Sequence, residues 1–427
     1  MKNKSILMLV MLMMTACSLF WLVGCGSQGG GAVTTTTVTT STTSTSTTST
    51  STTSASTTSI STTTTATTTS TAVTTSTSTT TTTSTTTTTS VHYYAYVADD
   101  GDQYVSAFSI NPDSGALAEI SHSPFSLGTA PYSIAVTPNY QFAYFACPNQ
   151  NGIVARLIDP ASGSLESITG SPFSSGRQPY SVAIDPSGAY LYSANYQDNN
   201  ISAYVINPST GALTPMAGSP YNTQNNPTSL AIDPSGKYLF ASAISGTAIS
   251  AYSIDASTGG LNPVSGSPFN VGGAWVYSVA VDSTGKFVYA ASWSEGKVYA
   301  ASIEASTGAL RAVTGSPFNA GTHPQFVYAD ASRGLAYVAN SDGGNISEYS
   351  ISTTGTLSAI TGSPVGAGTG PYSIAIDPTG KYAFATNHGS NNLYEYSVDS
   401  LSGALGFHLS ISTGSQPRFV KVIQVLH

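Results

Sequence analysis

From Val91 onward the chain alternates apolar runs of about six residues with short breaks rich in Gly, Pro, Asp, Asn and Ser. Runs such as "PYSVAI" (179–184), "YLYSAN" (190–195) and "ISAYVI" (201–206) are dense in β-branched and aromatic residues and too short for helices, which predicts strands. A fourth run, "ALTPMAGSPY" from Ala212, follows before the series restarts. The restart is regular: Gly-x-Leu turns fall at Gly115, Gly163, Gly211, Gly259, Gly308, Gly355 and Gly403, with spacings of 48, 48, 48, 49, 47 and 48 residues. A period near 48 held through seven copies marks a repeat architecture, and four short antiparallel strands per period make a propeller blade. The expected fold is therefore all-β, a seven-bladed β-propeller.

The breaks explain their own spelling. In "DPSG" (185–188) Asp bonds back to the turn amides, Pro presets φ and Gly supplies the tight reversal. Such aspartates recur almost unchanged, which points to a backbone role rather than to chemistry. The propeller begins with a second-strand run, "YAYVAD" (94–99), and ends with a first-strand run, "PRFVKV" (417–422). The last strand is thus expected to pair with the N-terminal three, closing the ring without a free sheet edge.

The first 90 residues read differently. Lys2 and Lys4 precede the apolar "SILMLVMLMM", and "LVGC" follows from Leu22 to Cys25. That tetrapeptide resembles the lipobox of bacterial lipoproteins, which implies lipid attachment at Cys25; "MTAC", ending at Cys17, would truncate the apolar segment. From Thr34 to Ser90 the chain is almost pure Thr and Ser, without charge or aromatics, and is expected to stay disordered with a reach of roughly 40 Å. The expected organisation is a signal peptide (1–24), a lipidated Gly-rich N-terminus (25–33), a linker (34–90) and the propeller (91–427). The address implied is the bacterial cell envelope, periplasmic or surface, with the membrane reached through the lipid anchor only.

Composition narrows the function. Only 7% of residues are charged, the net charge is −8, and the 12 basic residues are scattered, which excludes a nucleic-acid partner. Three cysteines with no CxxC pair argue against a disulfide framework or a thiolate zinc site. No GxSxG, HExxH or P-loop occurs, and no cofactor is expected.

"YVAN" (337–340), "DPSGKY" (233–238) and "ISAY" paired with "TGAL" resemble the YVTN-type repeats of the seven-bladed lactonase propellers, the group of the bacterial 6-phosphogluconolactonase. The resemblance spans 91–427 and implies the fold and, as an activity, lactone hydrolysis. Its motifs are turns and strand ends, so function has to be sought where the repeats differ. Just after the start of each first strand stand Tyr132, Tyr180, Thr228, Tyr277, Gln325, Tyr372 and Arg418. The resemblance implies Arg at this position, and only Arg418 keeps it. The second strands end on Asp99, Cys147, Asn195, Ala243, Ser292, Asn340 and Asn387, and no blade carries an inserted lid.

Tyr132, Tyr180, Tyr277, Gln325 and Tyr372, with Asn195, Asn340 and Asn387, are the expected ligand-binding ring at the top of the channel. One sector adds chemistry: His323 and His388 as bases, Arg418 for an oxyanion, and Asp99 beside it. Asp100, Asp102 and Asp342 could instead hold a hard cation. Cys147, with no His in its blade, reads as a small half-buried residue. The function expected is a monomeric ligand-binding or protein-interaction module acting through its top face. Its partner would be a small molecule, sugar, peptide or envelope protein, with lactone hydrolysis as the alternative.

Overall fold

The structure, a computed structural model, describes residues 90–426. Cys25, the export segment and the Ser/Thr tract up to residue 89 lie outside the described residues. Among the described residues the strands form seven antiparallel sheets, each with its first strand innermost. In blade 2 the strands are Pro179–Ile184, Tyr190–Asn195, Asn200–Ile206, Leu213–Pro215 and Tyr221–Asn222. Blade 7 joins the two ends of the propeller: Pro417–Leu426 pairs antiparallel with Val91–Asp99, which continues the sheet to Tyr104–Ile110. The first strands neighbour one another all the way round, and that of blade 7 packs between those of blades 6 and 1.

The fourth strand differs from the expected single run. In six blades it is two pieces of three and two residues, both paired with the third strand. The Ser of each Gly-Ser-Pro, or of His122-Ser123-Pro124 in blade 7, sits at the gap, and its hydroxyl accepts the third-strand N–H that the broken ladder leaves free, as from Ala203 to Ser219 Oγ at 2.9 Å. Equivalent bonds to Ser123, Ser171, Ser267, Ser316 and Ser363 span 2.8–3.0 Å. Blade 6 has no Gly-Ser-Pro, and its outer strand runs unbroken from Leu405 to Ser412.

Two seams lock the blades together. Buried second-strand tyrosines donate to the turn glycine of the following blade: Tyr96 to Gly163, Tyr144 to Gly211, Tyr192 to Gly259, Tyr289 to Gly355 and Tyr337 to Gly403, at 2.7–3.0 Å. The glycine is needed twice over. Gly211 has φ +69, and a Cβ there would stand 2.6 Å from the Phe142 ring. Nearer the axis, the hydroxyls of Ser133, Ser181, Ser229, Ser278 and Ser373 accept N–H groups from the next first strand. Apolar side chains fill the wedges between, such as Tyr144, Ile153, Val182 and Leu191 between blades 1 and 2.

The turn aspartates belong to this scaffold, since Asp185 accepts the Tyr190 N–H at 2.7 Å and the Ser187 N–H at 3.0 Å. Replacing Tyr337 by Phe leaves the buried Gly403 carbonyl without its hydroxyl donor. We expect a loss of about 1–2 kcal/mol in urea unfolding, at an unchanged m-value. An unshifted midpoint would mean that the tyrosine seam contributes nothing.

Candidate functional site at the channel mouth

A register slip at the top of the first strand in blades 2 to 7 builds the site; in blade 1 the strand begins one residue later, at Ser133, and Tyr132 precedes it. In blade 2 Pro179 faces Asn195 but Ser181 faces Ala194, so Tyr180 is an extra, unpaired residue. The same slip isolates Thr228, Tyr277, Gln325 and Tyr372 in blades 3 to 6. In blade 7 Pro417 faces Asp99 and Phe419 faces Ala98, which isolates Arg418. A bulge re-aims the extra side chain, so two consecutive residues per blade look into the channel instead of one. Tyr132, Tyr180, Thr228, Tyr277, Gln325, Tyr372 and Arg418 consequently line one cavity of about 70 Å³. The residues after them are serines in five blades and Phe326 and Phe419 in the other two, whose rings meet edge to face at 5.6 Å.

Arg418 is the buried cation of this ring, 8% exposed. Its guanidinium donates to Asp100 Oδ2 at 2.8 Å and to the Tyr372 hydroxyl at 2.7 Å, and lies 3.7 Å from the Tyr132 ring centroid. Burial opposes the charge, but Tyr372, Tyr132 and Asp100 outweigh it and hold the pKa of Arg418 up. Burial raises the phenols of Tyr132, Tyr180 and Tyr372, leaving the wall furnished with neutral hydroxyls. Gln325, 6% exposed, contributes a buried Oε1 with no partner.

His388 stands over this cluster, its ring 5.2 Å from that of Tyr372. Burial, and secondarily the charge of Arg418, lower its pKa to about 4, so it is a neutral imidazole at physiological pH. Of the four residues proposed for catalysis, then, Arg418 lines the cavity and His388 stands outside the lining, against the Tyr372 ring that Arg418 also touches. Asp100, expected only as a weak cation ligand, is the carboxylate beside them.

Asp99 and His323 lie elsewhere. Asp99 is fully buried inside blade 7, where Oδ2 accepts Ser106 N–H at 3.0 Å and Ser106 O–H at 2.6 Å, and Oδ1 has no partner. His323 Nδ1 pairs with Asp342 at 2.6 Å, outside the cavity lining. Asn195, Asn340 and Asn387 are fully buried at the position of Asp99, and their amides tie loops within each blade rather than lining the cavity. Asn340, for example, accepts Gly321 N–H at 3.0 Å and donates to Asn345 and Ser347.

Asp102 caps the Ser415 N–H, Asp100 pairs with Arg418 and Asp342 with His323, so these carboxylates are spent separately. Among the described residues no three His, Cys, Asp or Glu gather as a metal site. Cys147 is buried, its thiol pushed up to about 12 by burial. Sequence reasoning missed Tyr196, stacked on Tyr180 at 4.4 Å, and the rim tryptophans Trp275 and Trp293. Their signal was available: each stands just outside the first or second strand, on the loops that frame the mouth.

Residues 92–224, 182–277, 217–332 and 267–373 match the family described as lactonase, 7-bladed beta-propeller. No curated protein matches the chain. Among solved structures, a Bacteroides uniformis protein provisionally named 6-phosphogluconolactonase is 19% identical, with a TM-score of 0.69 over 78% of this chain and 99% of that one. The similarly named Bacteroides fragilis protein is 20% identical, with a TM-score of 0.68 over 78% and 98%. The periplasmic gluconolactonase of Pseudomonas aeruginosa is 19% identical, with a TM-score of 0.65 over 78% and 99%. At these identities the likeness bears on the fold alone.

Asp99 yields a stability prediction. Burial raises its pKa from 3.8 to about 7, so the folded state holds the proton more tightly than the unfolded chain. The resulting stabilisation is present below about pH 4 and is lost as pH rises to 7. Asp99→Asn installs the amide that blades 2, 5 and 6 carry. Relative to wild type it should gain stability across that window, by up to about 4 kcal/mol at pH 8. Chemical unfolding at pH 4 and pH 8 checks this; parallel losses in both proteins would remove Asp99 as the cause.

Proposed function

The chain belongs to the lactonase family of seven-bladed β-propellers, and on that premise we propose that it hydrolyses a small lactone at the channel mouth. The observation that carries the proposal is Arg418, a buried guanidinium held by Asp100 and Tyr372 beside a neutral imidazole. Positioned N–H donors in a water-poor site stabilise charge developing on a carbonyl oxygen. Arg418 receives that oxygen, and His388 takes a proton from the attacking water as it adds to the carbonyl carbon. The ring C–O bond breaks, the proton passes to the departing alkoxide, and the product leaves as a hydroxy acid whose carboxylate faces Arg418.

A second reading, a binding module without turnover, is favoured by the size of the cavity. About 70 Å³ is well below the roughly 300 Å³ of a usual ligand pocket, so a sugar-sized molecule would place only one polar group inside and rest on the tyrosine rim. The two readings separate in one experiment: sugar and aliphatic lactones offered to the purified protein, with Arg418→Lys as the variant that keeps the charge near Asp100. Hydrolysis should fall at least about a hundredfold in kcat/KM. The wild-type rate should be flat above about pH 5 and fall below it as His388, with a pKa of about 4, takes up a proton. Hydrolysis untouched by Arg418→Lys would move the reaction elsewhere. Saturable binding of an aldonic acid with no lactone turned over would leave the binding module.

We also propose that the propeller works in the cell envelope as a monomer, exported and tethered through Cys25, with the Ser/Thr tract as spacer. Lys2, Lys4, the apolar run and "LVGC" support this, as does the composition of the tract. Cys25→Ala should shift the protein from the membrane pellet to the soluble fraction. Retention in the pellet would argue against a lipid anchor at that residue.

A further inference from the structure

Outside the cavity, the same rim carries a column of three aromatic rings. Trp275 lies in the loop entering blade 4, Trp293 follows the second strand of that blade, and His323 lies in the loop entering blade 5. Trp293 is 5.2 Å from Trp275 with 22° between planes, and 3.6 Å from His323 with 7° between planes. The loops are tied together: Trp293 N–H donates to the Trp275 carbonyl at 3.0 Å, and the Ser341 N–H and hydroxyl both donate to the His323 carbonyl at 3.0 Å. Asp342, its side chain 60% exposed, closes the column through His323.

Two features describe how this column is presented. Trp275 and His323 have φ of +53 and +54, at a loop position where blades 2, 3, 6 and 7 share the left-handed bend with Gln178, Asn226, Gly370 and Gln416. The bend thus belongs to the repeat, and what is particular to blades 4 and 5 is that they place aromatic rings on it. In addition, neither indole N–H has a partner among the described residues, and both rings are half-buried.

We propose that the column is a binding site for a pyranose ring. Stacking covers the faces of Trp293, so the outer faces of Trp275 and His323 take the apolar C–H face of a sugar, while indole N–H groups and the Asp342 carboxylate exchange hydrogen bonds with its hydroxyls. Trp275 and His323 stand two residues before Tyr277 and Gln325, both of the cavity lining, so a sugar held here lies beside the mouth. The site rests on these contacts and not on hydrolysis.

Trp275 and Trp293 are the only tryptophans of the propeller; the third, Trp21, belongs to the export segment. Tryptophan emission of the full-length chain therefore reports on the column directly. Cellobiose should change it saturably, and Asp342→Asn should weaken that response by about tenfold, with an unchanged melting temperature. A variant carrying both Trp275→Phe and Trp293→Phe, which keeps Trp21, should lose the response. Tetramethylammonium is titrated in parallel, because aromatic rings beside a carboxylate also suit a cation. No saturable change with cellobiose, a response to tetramethylammonium alone, or a response that survives loss of both tryptophans would each overturn the proposal.

Discussion

The channel site depends on the two ends of the propeller sharing one sheet. Arg418 comes from the last strand and Asp100 from the turn after the first, and their 2.8 Å ion pair forms only when Pro417–Leu426 lies against Val91–Asp99. Both partners are largely buried, at 10% and 14% side-chain exposure, so neither charge is tolerable there without the other. Ring closure and site assembly are thus one event. A propeller opened at blade 7 would lose the guanidinium, its carboxylate and the wall between blades 6 and 1 together.

Repetition and difference are divided by depth. The second-strand tyrosines of five blades and the Ser-Pro serines of six each satisfy a backbone group that the blade geometry leaves over, so they recur; Phe240 and Phe384 stand at the tyrosine position in blades 3 and 6. The bulged residue satisfies none, save in blade 3, where the Thr228 hydroxyl donates to the Val276 carbonyl at 3.2 Å. It projects into the channel from a position the ladder has skipped, and is free to be Tyr, Thr, Gln or Arg without disturbing a sheet. The same fold that forces seven similar blades therefore leaves one unconstrained letter in each.

A chain so poor in charge concentrates its electrostatics. Arg418 works in a ring of phenols kept neutral by burial, and its field and the same burial hold His388 deprotonated. Phe326 and Phe419 replace the serines below and give that sector of the channel an apolar lining. In such surroundings a single cation polarises more strongly than it would in water.

Much of this was legible in the sequence because it is local. Period 48, the strand runs, the turn chemistry and the pairing of the termini follow from spacing and residue type, as does the set of seven channel-mouth residues, since they are the letters that vary at a fixed register. The split fourth strand was also written there, in the Ser-Pro that six blades carry, after Gly in five and His122 in blade 7, and that blade 6 lacks. Orientation was not legible. Asn195, Asn340, Asn387 and Asp99 end their strands near the mouth, yet point into the blade, because their side chains bond third-strand hydroxyls and loop N–H groups that only the folded hairpin brings near. Nor could spacing tell that His388 rather than His323 joins Arg418, or that His323 would stack on Trp293. Those contacts join residues of different blades across the mouth. The sequence by itself determined the blades and the letters offered to the channel; only the closed ring, by setting which blades are neighbours and which way each bulge turns, decided which letters meet.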